Sequence, residues 1–103
     1  MYRLIYTSLD PSIGEDLFLD GSVELNMLKK KFDSKEKAFA YIKRYEVNRL
    51  KKLFADEGGV SIDKITAIYS NDEDQAYIDL SVDLGIPVGI APLCYYIYRV
   101  VKE

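Results

Sequence analysis

The chain contains no histidine, no tryptophan and one cysteine among its 103 residues. The lack of histidine excludes His-based acid–base catalysis, Ser-His-Asp and Cys-His pairs, and every zinc site that contains histidine. Cys94 alone cannot form an internal disulfide, a CxxC redox pair or a four-cysteine zinc site. The phosphate-binding loops GxxxxGK[ST] and GxGxxG are missing as well. We therefore expect a protein that is not an enzyme and that uses no cofactor and no metal.

Residues 85–101, GIPVGIAPLCYYIYRVV, form a long apolar run, and the first question is whether they cross a membrane. Pro87 and Pro92 interrupt any helix there, and Arg99 leaves the uncharged run short of the ~20 residues that a spanning helix needs. The segment 1–7 has no apolar region of the kind found in signal peptides. We expect no membrane segment, no signal peptide and a cytoplasmic location.

The length predicts one domain over residues 1–103. Tyr, Ile and Thr in the segment 2–9 predict a first strand, and the alternation within 22–32 predicts a second. Residues 11–21 fit either a short helix or one arm of a hairpin, with a loop plus a helical turn slightly favoured.

The strongest pattern predicts an amphipathic helix from Ser34 to Asp56. Asp33 and Glu36 have the spacing of a capping box, and Gly58-Gly59 suits a left-handed helix end. At 100° per residue, one apolar arc contains Phe39, Ile42, Leu50 and Leu53, with Ala38, Tyr45 and Phe54 at its edges.

Three strands are predicted after the helix, at 63–70, 76–85 and 93–101. The polar link 71–74 predicts that the first two form an antiparallel hairpin. The fold class is therefore α+β, with an antiparallel sheet of about five strands in the order ββαβββ along the chain, and one long helix packed on one face.

Charge is strongly segregated along the chain. Residues 29–52 hold ten Lys or Arg against three acids, a net charge of +7, while the other residues have a net charge of −10. Lys37, Arg44 and Lys51 recur every seven residues and form a candidate nucleic-acid-binding row on the helix. The alternative is a solvated helix face, which the acidic protein and the lack of a recognition motif favour.

Acidic residues collect near the predicted hairpin. The candidates for binding a partner are Asp72, Glu73, Asp74, Asp79 and Asp83. Such a row can imitate nucleic-acid phosphates or dock onto a basic protein. It lacks the Gly and the terminal Glu of a calcium-binding EF-hand loop. The alternative is a solvated turn and strand whose acids prevent edge-to-edge aggregation.

The last strand is apolar on both faces. Tyr96 and Tyr98 share one face with Cys94 and Val100, while Leu93, Tyr95, Ile97 and Val101 share the other. A strand of this kind is either central, with one face under the helix and the other face covered as well, or it exposes tyrosines, which are frequent at protein interfaces. We therefore add Tyr77, Tyr96 and Tyr98 to the candidate partner-binding residues, with a homodimer through the open sheet face as one outcome.

Glu46 is anomalous because it falls in the middle of the apolar arc of the helix. It is either a functional acid or, more simply, a partner of Arg49 or of a tyrosine hydroxyl, or the apolar arc reaches solvent at this position.

In its size, its acidity and the stretch FDSKEKAFAYIKRY after a strand, the chain resembles small accessory proteins of bacterial phages, which include host-takeover and anti-defence inhibitors. The resemblance implies a non-enzymatic protein that inhibits a host defence or nucleic-acid-processing protein by steric or electrostatic blockade. Two alternatives stay open, a nucleic-acid-binding protein that uses the basic helix and a self-associating structural protein.

Overall fold

Five antiparallel strands and one long helix form the fold in residues 1–9 and 26–103, which are the residues that the computed structural model describes. The strands are β1 (Tyr2–Leu9), β2 (Asn26–Phe32), β3 (Ile65–Asn71), β4 (Gln75–Asp83) and β5 (Ile90–Lys102). The helix consists of α1 (Lys35–Tyr41), a π-helical turn (Ile42–Glu46) and α2 (Val47–Gly58), and a 3-10 turn (Ile62–Lys64) leads into β3. The predicted α+β class, with one helix on an antiparallel sheet, is confirmed.

The sheet has the strand order β2-β1-β5-β4-β3, so the last strand is the central one. It pairs with β1 over its C-terminal half, from Tyr2 opposite Lys102 to Leu9 opposite Tyr95. On its other edge β5 pairs with β4. Each alternative for an apolar last strand holds in part, because β5 is central in the sheet while its face with Tyr95 and Ile97 is only half-buried. The predicted segments 11–21 and 22–25 lie outside the described residues.

The helix begins one residue later than its capping pattern predicts. Ser34 is the N-cap, and its hydroxyl accepts a hydrogen bond from the Lys37 backbone N–H at 3.2 Å. Asp33 instead forms an ion pair with the Lys37 ammonium. The predicted glycine end is confirmed, because Gly59 has a φ of 64° and donates its N–H to the Ala55 carbonyl.

A π-helical turn determines which side of the helix is buried. The buried positions recur every four residues, at Ala38, Ile42, Glu46 and Leu50. In a regular α-helix this spacing advances by about 40° per step and would leave the sheet. The wider turn, closed by the Val47 N–H on the Ile42 carbonyl, keeps all four positions on one side. For the same reason the predicted arc is wrong at Tyr45 and Leu53, which are both exposed.

The core lies between the helix and one face of the sheet. β4 alternates as predicted and buries Ala76, Ile78, Leu80 and Val82 toward the helix. The opposite face of the sheet, called here the outer face, carries the intervening residues of β4, among them Tyr77 and Asp79. On β4, and on β5 from Tyr95 onward, the residues of the outer face are half-buried or exposed.

Candidate functional site

A cluster of apolar and aromatic side chains lies on the outer face where β3, β4 and β5 run side by side. The rings of Tyr77 and Tyr95 stack there, with centroids 6.1 Å apart and planes at 24°. The strand register places Ile97 opposite Tyr77, and Asp79 between Tyr95 and Ile68. We call these five residues the outer patch.

The outer patch is partly exposed. The Ile68 side chain is 61% exposed and Asp79 is exposed, whereas Tyr77, Tyr95 and Ile97 are half-buried. Burial raises the pKa of the Tyr95 hydroxyl, with a smaller contribution from the nearby Asp79 carboxylate. The patch therefore offers a protonated hydroxyl beside a carboxylate, surrounded by apolar surface.

The hairpin turn between β3 and β4 fixes the orientation of Tyr77. The Tyr77 hydroxyl donates to Asp72 Oδ2 at 2.8 Å, with Gln75 Oε1 at the same distance. This bond lowers the pKa of the Asp72 carboxyl and raises that of the Tyr77 hydroxyl. Asp72 Oδ1 accepts from the backbone N–H groups of Asp74 and Gln75. Asp72 is thus an internal support of the patch, and Tyr77 is held in position before any partner binds.

The predicted acidic residues do not form one row. Asp74 points toward the start of the helix, where its carboxylate lies 2.6 Å from Lys35 Nζ. The ion pair raises the pKa of Lys35 through that hydrogen bond. Asp83 accepts from the Gly85 N–H at the other end of β4, and Glu73 is exposed at the hairpin tip. Among the predicted acids, only Asp79 lies within the outer patch.

The prediction that Tyr96 and Tyr98 contact a partner is wrong for Tyr98. Both belong to the face of β5 that lies under the helix, because they alternate with Tyr95 and Ile97. Tyr98 is fully buried and stacks on Tyr6 with centroids 5.3 Å apart. Tyr98 is therefore a core residue and not a partner contact.

Tyr96 lies on the same side and is half-buried. Its ring and that of Phe54 are nearly perpendicular, with centroids 6.4 Å apart, and burial raises the pKa of its hydroxyl to about 12.

Tyr95, Ile97 and Ile68 were not predicted as site residues. The period of a strand separates its two faces but does not indicate which of them the helix covers. Leu93 does not join them, since the register shift opposite Leu80 and Ser81 turns it against the core.

Glu46 anchors the helix to the sheet. Its carboxylate is buried and accepts from Arg49 Nε at 2.5 Å and from Arg49 Nη2 at 3.2 Å. The Tyr98 hydroxyl also donates to Glu46, at 3.2 Å. The contacts raise the pKa of the Arg49 guanidinium, mainly through the hydrogen bond to Glu46. Of the two interpretations, the structure shows the pairing with Arg49 and a tyrosine hydroxyl.

The second candidate surface is a groove of about 360 Å³ between the end of β2 and the first half of the helix. Its lining is rich in cations and aromatic rings: Lys30, Lys31, Phe32, Asp33, Lys37, Ala40, Tyr41, Arg44 and Tyr45. We call it the basic groove. Of the predicted nucleic-acid-binding row, Lys37 and Arg44 line this groove, whereas Lys51 lies outside it and is half-buried.

Comparisons with protein-family models, with curated proteins and with solved structures found no match. Within residues 1–9 and 26–103, no helix is both long enough and apolar enough to span a bilayer. The same described residues contain no group of three Cys, Asp or Glu side chains placed to hold a metal ion. The candidate sites therefore rest on geometry alone.

The connection between β4 and β5 exposes a further apolar surface. Three large side chains of the connection are exposed, and so is the first residue of β5: Leu84, Ile86, Val88 and Ile90. The turn is closed by the Leu84 N–H on the Gly89 carbonyl at 2.9 Å. Gly85 and Gly89 have φ angles of 74° and 79°, which side chains rarely tolerate. The predicted non-helical Gly/Pro connection is confirmed, and its apolar residues lie at the opposite end of β4 from the acidic hairpin.

Proposed function

We propose that this chain is a non-enzymatic protein-binding module whose outer patch docks onto a basic surface of another protein. The observation that carries the proposal is the stacked pair Tyr77 and Tyr95 beside the Asp79 carboxylate. Tyrosines are enriched at the centres of protein interfaces, because they bury a large apolar area and still offer a hydroxyl. The Asp72 support of Tyr77 reduces the conformational entropy that is lost on binding.

The charge of the molecule favours a basic partner. Asp79 is exposed within the patch, Glu73 is exposed at the hairpin tip, and the residues outside 29–52 have a net charge of −10. Opposite potentials accelerate encounter and select the correct partner. A second copy of this chain fits less well, since in a two-fold dimer the patch would face its own copy, and the five residues of the patch include no cation to pair with Asp79.

The exposed apolar connection supports the same proposal. Large exposed apolar patches are uncommon on monomeric proteins and mark interaction sites. Ile86 is fully exposed, and Val88 and Ile90 are exposed next to it. We include this connection as a second contact, which engages the partner at the far end of β4.

The resemblance to phage accessory proteins supports a more specific form of the proposal. In that form the chain acts in the cytoplasm and inhibits a host defence or nucleic-acid-processing protein. A nucleic-acid-processing protein binds a polyanion through a basic surface, so a module whose outer patch covers that surface blocks it by its bulk, and the Asp79 carboxylate adds negative charge. The single cysteine of the chain is in keeping with a reducing compartment.

The test is affinity capture followed by titration. The tagged protein captures its partner from a bacterial cytoplasmic extract, mass spectrometry identifies it, and biolayer interferometry measures the Kd with the purified partner. Asp79→Lys should weaken binding at least about tenfold, and Tyr95→Ala about 30-fold, since interface tyrosines often contribute about 2 kcal/mol. Arg99→Gln, which removes an exposed cation from β5, should leave the Kd unchanged or lower it.

The matched control is Glu57→Lys, the same charge reversal on the exposed side of the helix. Equal losses for Asp79→Lys and Glu57→Lys would show that only net charge matters and would refute the outer patch as the site. A captured partner without a basic surface would also contradict the proposal. Light scattering across concentration distinguishes a hetero-complex from self-association, which predicts a mass that doubles in the absence of partner.

A further inference from the structure

The basic groove combines two features that occur together in proteins that bind single-stranded nucleic acid. A row of three aromatic rings lines it, with 5.2 Å between the Phe32 and Tyr41 centroids and 5.2 Å between those of Tyr41 and Tyr45. Lys30 Nζ lies 4.8 Å from the Tyr41 centroid, and Arg44 Cζ lies 5.6 Å from the Tyr45 centroid. Cations and ring faces therefore alternate along one wall.

The cations of the basic groove differ in whether they already form an ion pair within the protein. Lys37 pairs with Asp33 at 3.2 Å, and Lys31 pairs with Glu103 at 3.1 Å. Lys30 and Arg44 form no ion pair with any residue of the described part of the chain, and both side chains are exposed. These two cations are available to a phosphate without first releasing a carboxylate.

Tyr45 is the ring that is available to a ligand. It is 55% exposed although it lies on a helix whose other large apolar side chains mostly face the sheet. Its exposure follows from the π-helical turn, which rotates it away from the sheet and toward the groove. An exposed ring between cations is a stacking platform for an unpaired base, and such stacking is tolerant of sequence.

We propose that the basic groove binds single-stranded nucleic acid, with backbone phosphates on Lys30 and Arg44 and one base stacked on Tyr45. A duplex fits less well, because its bases are already stacked and offer no face to Tyr45. The net charge of +7 over residues 29–52 extends the attraction along the helix beyond the groove. The site is separate from the outer patch, which lies on the other face of the sheet, so the inference does not depend on the proposed protein partner.

The experiment is a fluorescence-anisotropy titration with labelled oligothymidylate, oligouridylate and a DNA duplex, each of about 12 units, within the usual range of binding sites for single strands. We expect both single strands to bind more tightly than the duplex. Two phosphates neutralised by Lys30 and Arg44 give a slope of log K against log salt of about −1.4, so binding weakens about sevenfold between about 50 and 200 mM salt.

Variants separate the charge from the stacking. Arg44→Gln and Lys30→Gln should each reduce the magnitude of the salt slope by about 0.7. Tyr45→Leu should weaken binding between about 5-fold and 100-fold and leave the slope unchanged. The matched control is Lys64→Gln, an exposed lysine on the 3-10 turn that changes the net charge equally. Circular dichroism confirms that each variant is folded.

Three outcomes would overturn the inference: no binding at low salt, equal effects of Arg44→Gln and Lys64→Gln, or equal affinity for duplex and single strand. The proposal for the outer patch and the proposal for the basic groove can be refuted independently of each other. Tyr95→Ala should weaken binding of the partner protein and leave oligonucleotide binding unchanged. Tyr45→Leu should weaken oligonucleotide binding and leave binding of the partner protein unchanged.

Discussion

Replacing Arg49 while Glu46 stays in place tests how firmly the helix is anchored to the sheet. In the folded protein the Glu46 carboxylate is 2% exposed, and the Arg49 side chain is 48% exposed. Arg49→Met removes two charge-assisted hydrogen bonds and leaves the buried carboxylate with the Tyr98 hydroxyl at 3.2 Å. Only Glu46 becomes an uncompensated buried charge, and it cannot turn out to water without breaking the helix contact.

The size of the loss in the free energy of unfolding distinguishes a buried ion pair from a surface ion pair. An exposed pair at this helix spacing contributes about 0.3–0.5 kcal/mol, whereas breaking a buried pair from one side costs about 3–5 kcal/mol. Since Arg49 is half-exposed, we expect Arg49→Met to cost about 3 kcal/mol. Glu46→Gln keeps the volume and an acceptor for Tyr98, so it should cost about 1–2 kcal/mol.

A combined variant provides the control. Replacing all three polar groups, as Glu46→Leu, Arg49→Met and Tyr98→Phe together, leaves no buried charge and no buried hydroxyl without a partner. Apolar replacement of buried ion pairs is often neutral or stabilising, so this variant should lie within about 1 kcal/mol of the parent. The large loss in the single variant and its recovery in the triple variant would together show that the loss comes from the buried charge left without a partner.

The assay is urea unfolding followed by far-ultraviolet circular dichroism, which suits a chain without tryptophan. The midpoint should shift with little change in slope, because the surface exposed on unfolding is the same. A loss below about 1 kcal/mol for Arg49→Met would show that water screens the pair and would refute the buried-anchor reasoning.

Two further predictions concern the tyrosines and the end of the helix. Burial raises the pKa of Tyr96 to about 12 and raises that of Tyr98 as well. The stabilisation of the fold that goes with these raised pKa values is complete below pH 10 and is lost as the pH rises through the pKa values of the folded state. Tyrosinate absorbance should therefore show a class that titrates late, smaller in Tyr98→Phe, and titration of all nine tyrosines near pH 10 in the folded protein would contradict this. Gly59→Ala should cost about 1 kcal/mol in thermal unfolding because φ is 64° there, whereas an equal cost for exposed Gly58→Ala, whose φ is helical, would show that conformation is not the reason.

Much of the fold could be predicted because its signals are local. Alternation fixed which residues of β4 are buried, and the apolar arc located the helix to within two residues at its C-terminal end. The N-cap was misplaced by one residue, because Asp33 and Ser34 are both good caps and the choice depends on the ion pair with Lys37. These are differences at the boundaries of elements that the pattern identified.

The candidate sites depended on information that the pattern does not contain. A strand with two apolar faces gives no indication of which face the helix covers, so Tyr96 and Tyr98 were predicted on the open face, where the structure has Tyr95 and Ile97. Only part of the basic groove could be predicted from the sequence, since Lys37 and Arg44 were identified on the helix but the contribution of β2 was not. The π-helical turn that exposes Tyr45 leaves no recognisable mark in a regular 100° projection.

The position of β5 between β1 and β4 has a consequence for how the chain folds. β1 obtains the hydrogen bonds that connect it to the rest of the sheet from β5, and in the outermost pair Tyr2 lies opposite Lys102. During synthesis, the helix, β3 and β4 emerge from the ribosome while β1 still lacks this partner. Pairing β1 with β5 closes a loop of nearly the whole described chain. The entropy lost in closing so long a loop makes this step slower than closing the β3–β4 hairpin. The order of folding therefore differs from the order of synthesis, and β1 is joined to β5 only after β3 and β4, which are made later than β1.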